Sequence, residues 1–212
     1  MLLRIRVRLP DRPGSLGQVA RTLGAAGADV VQMAVLERAE GRALDDFTVA
    51  WPAGAGIERL TGGLGSVPGV DVVGIWPTVE PQGAFPDATV IGQVAAVPER
   101  GAEILADAVP GILSADWAAL AEDGPGGETV LVHASVGGME GARLPGLRPL
   151  RPRAFTAPDG VQYAVCPLGT GGLALVIART GAPPFHATEV LRLEQLAAAA
   201  AAVLPAELVS TS

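Results

Sequence analysis

Leu3, Ile5, Val7 and Leu9 alternate with Arg4, Arg6 and Arg8 near the start of the chain. A period of two predicts a strand with one buried and one charged face. Just beyond it the period becomes helical, with Leu16, Val19, Ala20 and Leu23 on one stripe of Ser15–Ala26. The junction reads Leu9-Pro10-Asp11-Arg12-Pro13-Gly14-Ser15-Leu16. A helix opening on Pro-Gly-Ser leaves backbone N–H groups unpaired in its first turn. With the partial positive charge of the helix end, those groups form a seat for a small anion such as a carboxylate.

The pattern continues through a compact unit. Gly27 is placed to cap the helix in the left-handed region. Val30–Leu36 reads as a strand, Gly41 as a turn, and Leu44–Trp51 as a strand with Phe47, Val49 and Trp51 on one face. Ile57, Leu60 and Leu64 predict a short helix, and Val70–Trp76 a last strand. The order β-α-β-β-α-β predicts an α+β ferredoxin-like sandwich, one antiparallel sheet with both helices on one face. The other face then needs a cover, either a second copy or the rest of the chain. Arg4, Arg6 and Arg8 fall on that face, as an interface with the acidic second half of the chain or as a solvated surface.

Between Pro77 and Pro86 prolines recur without periodicity, which predicts a linker at 80–87. A second domain is expected over 88–205, with a tail at 206–212. Val90, Ile91, Val94 and Val97 predict a helix, and Pro98 opens a second one carrying Ile104, Leu105, Ala108 and Val109. Asp116–Leu120 and Thr129–Ala134 read as strands, 137–160 as irregular, and Val161–Cys166 with Leu173–Ala178 as a hairpin. Val190, Leu193, Leu196, Ala197, Ala200 and Val203 stripe a helix over Thr188–Leu204. This predicts a second α+β domain, a central antiparallel sheet flanked by helices.

Charge is unevenly divided. The net charge of −7 lies wholly beyond residue 79, because residues 1–79 hold equal numbers of basic and acidic groups. Nucleic acid and anionic membrane are therefore unexpected partners, since both need a basic footprint. Every basic residue is Arg, which together with the Ala, Gly, Pro and Val excess reads as coding bias. One cysteine, Cys166, excludes an internal disulfide and a multi-thiolate metal site. Two histidines without ligand spacing offer no metal centre, and no cofactor motif is present. No apolar run reaches membrane-span length, and Met1-Leu2-Leu3-Arg4 does not begin a signal peptide. A cytoplasmic location is the default expectation.

Residues 1–79 closely resemble an ACT domain. The carriers are the Leu3–Leu9 strand, the turn Asp11-Arg12-Pro13-Gly14-Ser15-Leu16, and Gly27-Ala28-Asp29-Val30 entering the second strand. ACT domains of this kind bind amino acids or related effectors between paired domains and are not themselves catalytic. The resemblance implies a ligand site at Asp11, Arg12, Pro13, Gly14, Ser15, Leu16, Asp29 and Val30. Gly14 and Ser15 fall where backbone N–H groups meet a ligand carboxylate; Asp11 and Asp29 fall at polar positions that meet its ammonium or side chain. Two carboxylates near one pocket favour an ammonium group. Leu9 stands where some serine-responsive members carry His.

Residues 88–204 more loosely resemble a GAF domain. The carriers are the paired helices, the Ala115-Asp116-Trp117-Ala118-Ala119-Leu120 strand, the Tyr163–Leu168 and Gly172–Ala178 strands, and Pro184-Phe185 before the last helix. Its middle is short for that family, so the resemblance implies a degenerate member that stabilises a dimer or relays a signal.

Arg143, Arg148, Arg151 and Arg153 read as an anion site or a solvated loop. Cys166, His133 and His186 read as a nucleophile pair or as buried and element-end residues. The function expected is a non-enzymatic homodimeric regulator sensing an amino acid or similar effector. Its rivals are a structural module that pairs with a regulated enzyme or transcription factor, an enzyme built on Cys166 or paired carboxylates, and a transcription factor lacking its DNA-binding module.

Overall fold

The Leu3–Leu9 alternation becomes β1 (Leu2–Pro10), whose Leu3, Ile5, Val7 and Leu9 are buried while Arg8 is exposed. The computed structural model describes residues 1–79, 83, 85–124, 126–136 and 143–206. Within these the protein is α+β, with two antiparallel sheets of four and five strands and five α-helices. The chain divides into two compact units, Met1–Glu80 and Pro81–Ser212.

In the first unit β1 is followed by α1 (Ser15–Ala26), β2 (Asp29–Ala39), β3 (Arg42–Ala50), α2 (Glu58–Gly65) and β4 (Asp71–Pro77). The sheet order is β2-β3-β1-β4, with every neighbour antiparallel. The apolar residues of β1 pack with Val19 and Leu23 of α1, Leu60 and Leu64 of α2, and Phe47 and Val49 of β3. Gly27 ends α1 with φ +95°, donating its N–H to the Gly24 and Leu23 carbonyls, a left-handed cap that costs glycine nothing.

On the β1 face turned away from this core, Arg4 is half-buried, Arg6 buried and Arg8 exposed. Arg6 is 2% exposed and grips Asp46 of β3 directly across the ladder, Nε to Oδ1 at 2.7 Å and Nη2 to Oδ2 at 2.9 Å. Its guanidinium lies 5.4 Å from the centre of the Trp76 ring. The acid that Arg6 meets thus belongs to its own sheet.

Strand β2 carries two bulges, at Val30/Gln32 and Val35/Glu37. The second makes Leu36 the extra residue, so Arg38, not Glu37, comes opposite Ala43 on the core-side face. Bulges re-aim side chains in this way.

The second unit runs α3 (Pro86–Ala96), a 3-10 turn (Pro98–Arg100), α4 (Gly101–Leu113), β5 (Trp117–Asp123), β6 (Thr129–Ala134), β7 (Arg153–Thr156), β8 (Gln162–Pro167), β9 (Ala174–Arg179) and α5 (Ala187–Ala201). The sheet order is β6-β5-β9-β8-β7. Leu105 and Val109 of α4 and Leu193 and Leu196 of α5 pack on Leu120, Cys166 and Ile177 of the sheet. The helices share that face, and the other is covered by Leu144, Leu147 and Leu150 lying on Trp117, Tyr163 and Val165.

Several expectations shift. Helix α3 starts at Pro86, inside the segment read as linker, because proline suits a first helical turn. Residues 80–82 and 84 of that segment, 137–142 of the irregular stretch and 207–212 of the tail lie outside the described residues. Strand β7 lies in the stretch read as irregular; it is only four residues long and is held by pairing with β8 and by Phe155 stacking on Tyr163 at 5.6 Å. Helix α5 ends at Ala201, leaving Val203 exposed instead of on the buried stripe. Among the described residues no helix is long and apolar enough to cross a membrane.

Candidate functional site

The turn between β1 and α1 builds its anion-receptive end from backbone. Gly14 is the N-cap, with φ +91°, and no side chain caps the helix. Ser15 N–H donates to Arg12 O, and Gln18 N–H to Gly14 O. Among the described residues no backbone carbonyl outside the helix accepts from Leu16 or Gly17. Those two amides are the unpaired donors of the first turn, at the positive end of the helix dipole.

Beside them lies a cavity of about 200 Å³. Its rim is Asp11, Arg12, Ser15 and Leu16 from the turn and helix, with Val35 and Arg38 from β2 opposite. Its floor includes Leu9, Ala43 and Asp45. This is below the roughly 300–1,000 Å³ of drug-sized sites and suits a molecule of amino-acid dimensions. The Leu36 bulge brings Arg38 to Asp11, Nη2 to Oδ1 at 2.7 Å and Nε to Oδ2 at 3.0 Å. The hydrogen bonds from Arg38, reinforced by its charge, hold the Asp11 carboxyl below its usual range.

Asp45 is the group that reasoning from the sequence missed. It stands on β3 between Ala43 and Phe47, on the face that packs under the helices. It is 3% exposed, and its Oδ1 has no hydrogen-bond partner. Burial, then the Asp11 and Asp46 charges, push its pKa up, against a smaller opposing effect of Arg38. The legible signal was a carboxylate in register with an apolar strand face.

Of the residues implied by the resemblance, Asp11, Arg12, Ser15 and Leu16 line this cavity, and Pro13 and Gly14 complete its turn. Asp29 and Val30 do not join them. They pair with Ala50 and Val49, at the far end of β3 from Asp45, and both are exposed.

Among its described residues the second unit assembles no comparable cluster. A broad hollow of about 740 Å³ is lined by Glu122, Asp123, Arg148 and Gly171. Arg148 pairs with Asp123 across it, Nε to Oδ2 at 2.8 Å. Arg153 donates to the carbonyls of Gly146, Leu147 and Pro149 and stacks 4.5 Å from the Phe155 ring. It thereby ties down the loop at 146–149. Cys166 is buried, and desolvation lifts its thiol to about 12, which leaves almost no thiolate at neutral pH. His133 Nε2 lies 2.9 Å from Asp107 Oδ1, and His186 caps α5 by accepting from Thr188 N–H. Neither histidine has Cys166 among its hydrogen-bond partners here. Among the described residues no group of three or more His, Cys, Asp or Glu could hold a metal ion.

Set beside known proteins, the chain matches no family model. No curated protein matches it either. Solved structures give distant likenesses. One is a formyltetrahydrofolate deformylase from Pseudomonas putida, 15% identical with TM-score 0.33, over 46% of this chain and 38% of that one. Another is an uncharacterised protein from Thermotoga maritima, 22% identical with TM-score 0.29, over 36% of this chain and 94% of that one. An unknown protein from Galdieria sulphuraria is 12% identical with TM-score 0.32, over 92% of this chain and 90% of that one. The chain thus spans well under half of the deformylase. Likenesses this distant say nothing of activity.

Proposed function

We propose that the first unit is an ACT-type effector-binding domain with a ferredoxin-like sandwich, and that the chain is a non-catalytic homodimeric regulator. The observation that carries this reading is the cavity beside the uncapped start of α1. Unpaired amides at Leu16 and Gly17 suit a carboxylate, and carboxylate side chains line the same small space. An amino acid has both complementary groups at the right scale.

Strand β2 supports pairing with a second copy. It is an edge strand, and its Val31, Met33 and Val35 are 47%, 39% and 49% exposed. A long apolar edge without lysine or proline is a template for strand addition. Antiparallel pairing of two β2 strands about Ala34 sets the Asp29 end of one copy against the Arg38 end of the other. That arrangement brings Asp29 and Val30 to the rim of the second copy's cavity. The second unit, a degenerate GAF-like domain, then stabilises the pair or relays its state, and ligand biases the assembly only by its differential affinity for paired and unpaired forms.

The same edge also fits another protein's domain, which is the reading of a ligand-free partner module. Amide spectra of the isotopically labelled full chain, titrated with each of the twenty amino acids, separate the two. The effector reading expects one or a few to move the Leu16 and Gly17 resonances saturably. If none moves them, the partner-module reading replaces it.

A further inference from the structure

We infer that Asp45 is the cation-receiving group of the cavity, so that the site selects small molecules carrying an ammonium group over neutral or anionic analogues of the same shape. This rests on the cavity being a small-molecule site, as proposed above, and assigns its polarity to a residue outside the turn.

The charges decide it. Asp11 faces the cavity but is already held bidentately by Arg38. Asp46, next along the chain, turns to the opposite face of the sheet and is held by Arg6. Asp45 stands between these two engaged carboxylates. It is nine-tenths and more buried, and its Oδ1 accepts nothing. Across the ladders it faces Val7 on β1 and Val35 on β2, neither of which can donate from a side chain. Asp45 lines the cavity.

A buried carboxylate without a donor is costly, and proteins normally satisfy or replace it. An apolar residue would pack on this face as Ala43, Phe47 and Val49 do. A charged donor arriving in the cavity would supply the missing hydrogen bond at short range and low dielectric. An amino acid with its carboxylate at the Leu16 and Gly17 amides would send its ammonium inward to Asp45. Ligand binding would then favour the ionised form of Asp45, which burial and the neighbouring acids disfavour in the empty site. The charged groups facing it are Asp11 and Arg12 from the turn, Arg38 from β2 and Asp46 behind it.

The test compares the full-length protein with Asp45→Asn, which keeps the shape and removes the charge. The probes are the twenty amino acids, the 2-hydroxy acid matching any that bind, and ethanolamine. For an amino acid that binds the unsubstituted protein, Asp45→Asn should weaken binding ~10- to 100-fold, as loss of a hydrogen bond to a charged group does. It should leave the hydroxy acid unchanged or tighter. Without ligand, Asp45→Asn should melt no lower, because the carboxyl it replaces is buried with an Oδ1 that accepts nothing. Equal amino-acid affinity in both proteins, or a lower melting temperature for the unliganded variant, overturns the role of Asp45 while leaving the effector site standing. Binding of ethanolamine but of no amino acid, lost in Asp45→Asn, supports Asp45 and overturns the amino-acid reading. No binding by any probe overturns both.

Discussion

Arg38 holds Asp11 in a two-pronged ion pair, with N–O distances of 2.7 Å and 3.0 Å, across the mouth of the cavity beside α1. Both side chains are substantially exposed, at 66% and 29%. The pair therefore matters for position more than for stability. It fixes the Asp11 carboxylate at the rim and leaves Asp45 as the unengaged acid below.

Removing that grip has a signed consequence. Asp11 titrates below its usual value because Arg38 donates to it. A depressed carboxylate favours the folded state above its unfolded pKa and loses that contribution as pH falls through the folded value. In Arg38→Gln the Asp11 pKa should rise towards that of a free aspartate, read from the carboxyl carbon shift against pH. An unchanged titration would mean that the ion pair does not persist in solution.

Gly14 tests the local geometry of the turn. A Cβ there would meet nothing within 4 Å, yet the backbone sits at φ +91°. Gly14→Ala should therefore destabilise the protein through backbone strain alone, by about 1–2 kcal/mol. Denaturant melts check this. A loss near zero would show that the turn relaxes to a right-handed start.

The sequence shows the first unit well because its signals are local. Alternation in β1, the stripe of α1 and the Gly27 cap each follow from neighbours in the chain. The decisive features of the cavity are not local. Arg38 reaches Asp11 only because Leu36 is bulged out of the ladder, and no propensity marks that bulge. Asp45 was readable in principle, since period two puts it with Ala43, Phe47 and Val49. It was obscured by its neighbour Asp46, which makes the pair look like an ordinary polar interruption. In the second unit, β7 is not legible because four residues are too few to show a period, and its place depends on β8.

Arg179 is a fully buried cation that composition alone gives no reason to expect inside. It donates to Glu189 at 2.9 Å and 3.2 Å and lies 3.9 Å from the centre of the Phe185 ring. Glu189 in turn accepts from His186 N–H at the start of α5. Arg179→Met should cost ~3–5 kcal/mol, because it leaves the Glu189 carboxylate buried without its partner. The double variant Arg179→Met, Glu189→Gln should recover part of that loss. Additive losses in a double-mutant cycle would contradict the coupling.

Cys166 gives a chemical check on the second unit. With its thiol raised to about 12 and buried in the sheet, it should resist a thiol reagent in the native protein. It should react fully once denaturant is added. Fast native labelling would revive the nucleophile reading and contradict the packing described around it.

The most direct measurement is a thermal-shift screen of the full-length protein against the twenty amino acids and common nucleotides. A ligand at 100-fold over its dissociation constant should stabilise the fold by about 2.7 kcal/mol, a readily visible shift. One or a few amino acids should raise the melting temperature, nucleotides should not, and Asp45→Asn should diminish the effect. A screen in which no amino acid shifts the melt would contradict an amino-acid site at the start of α1.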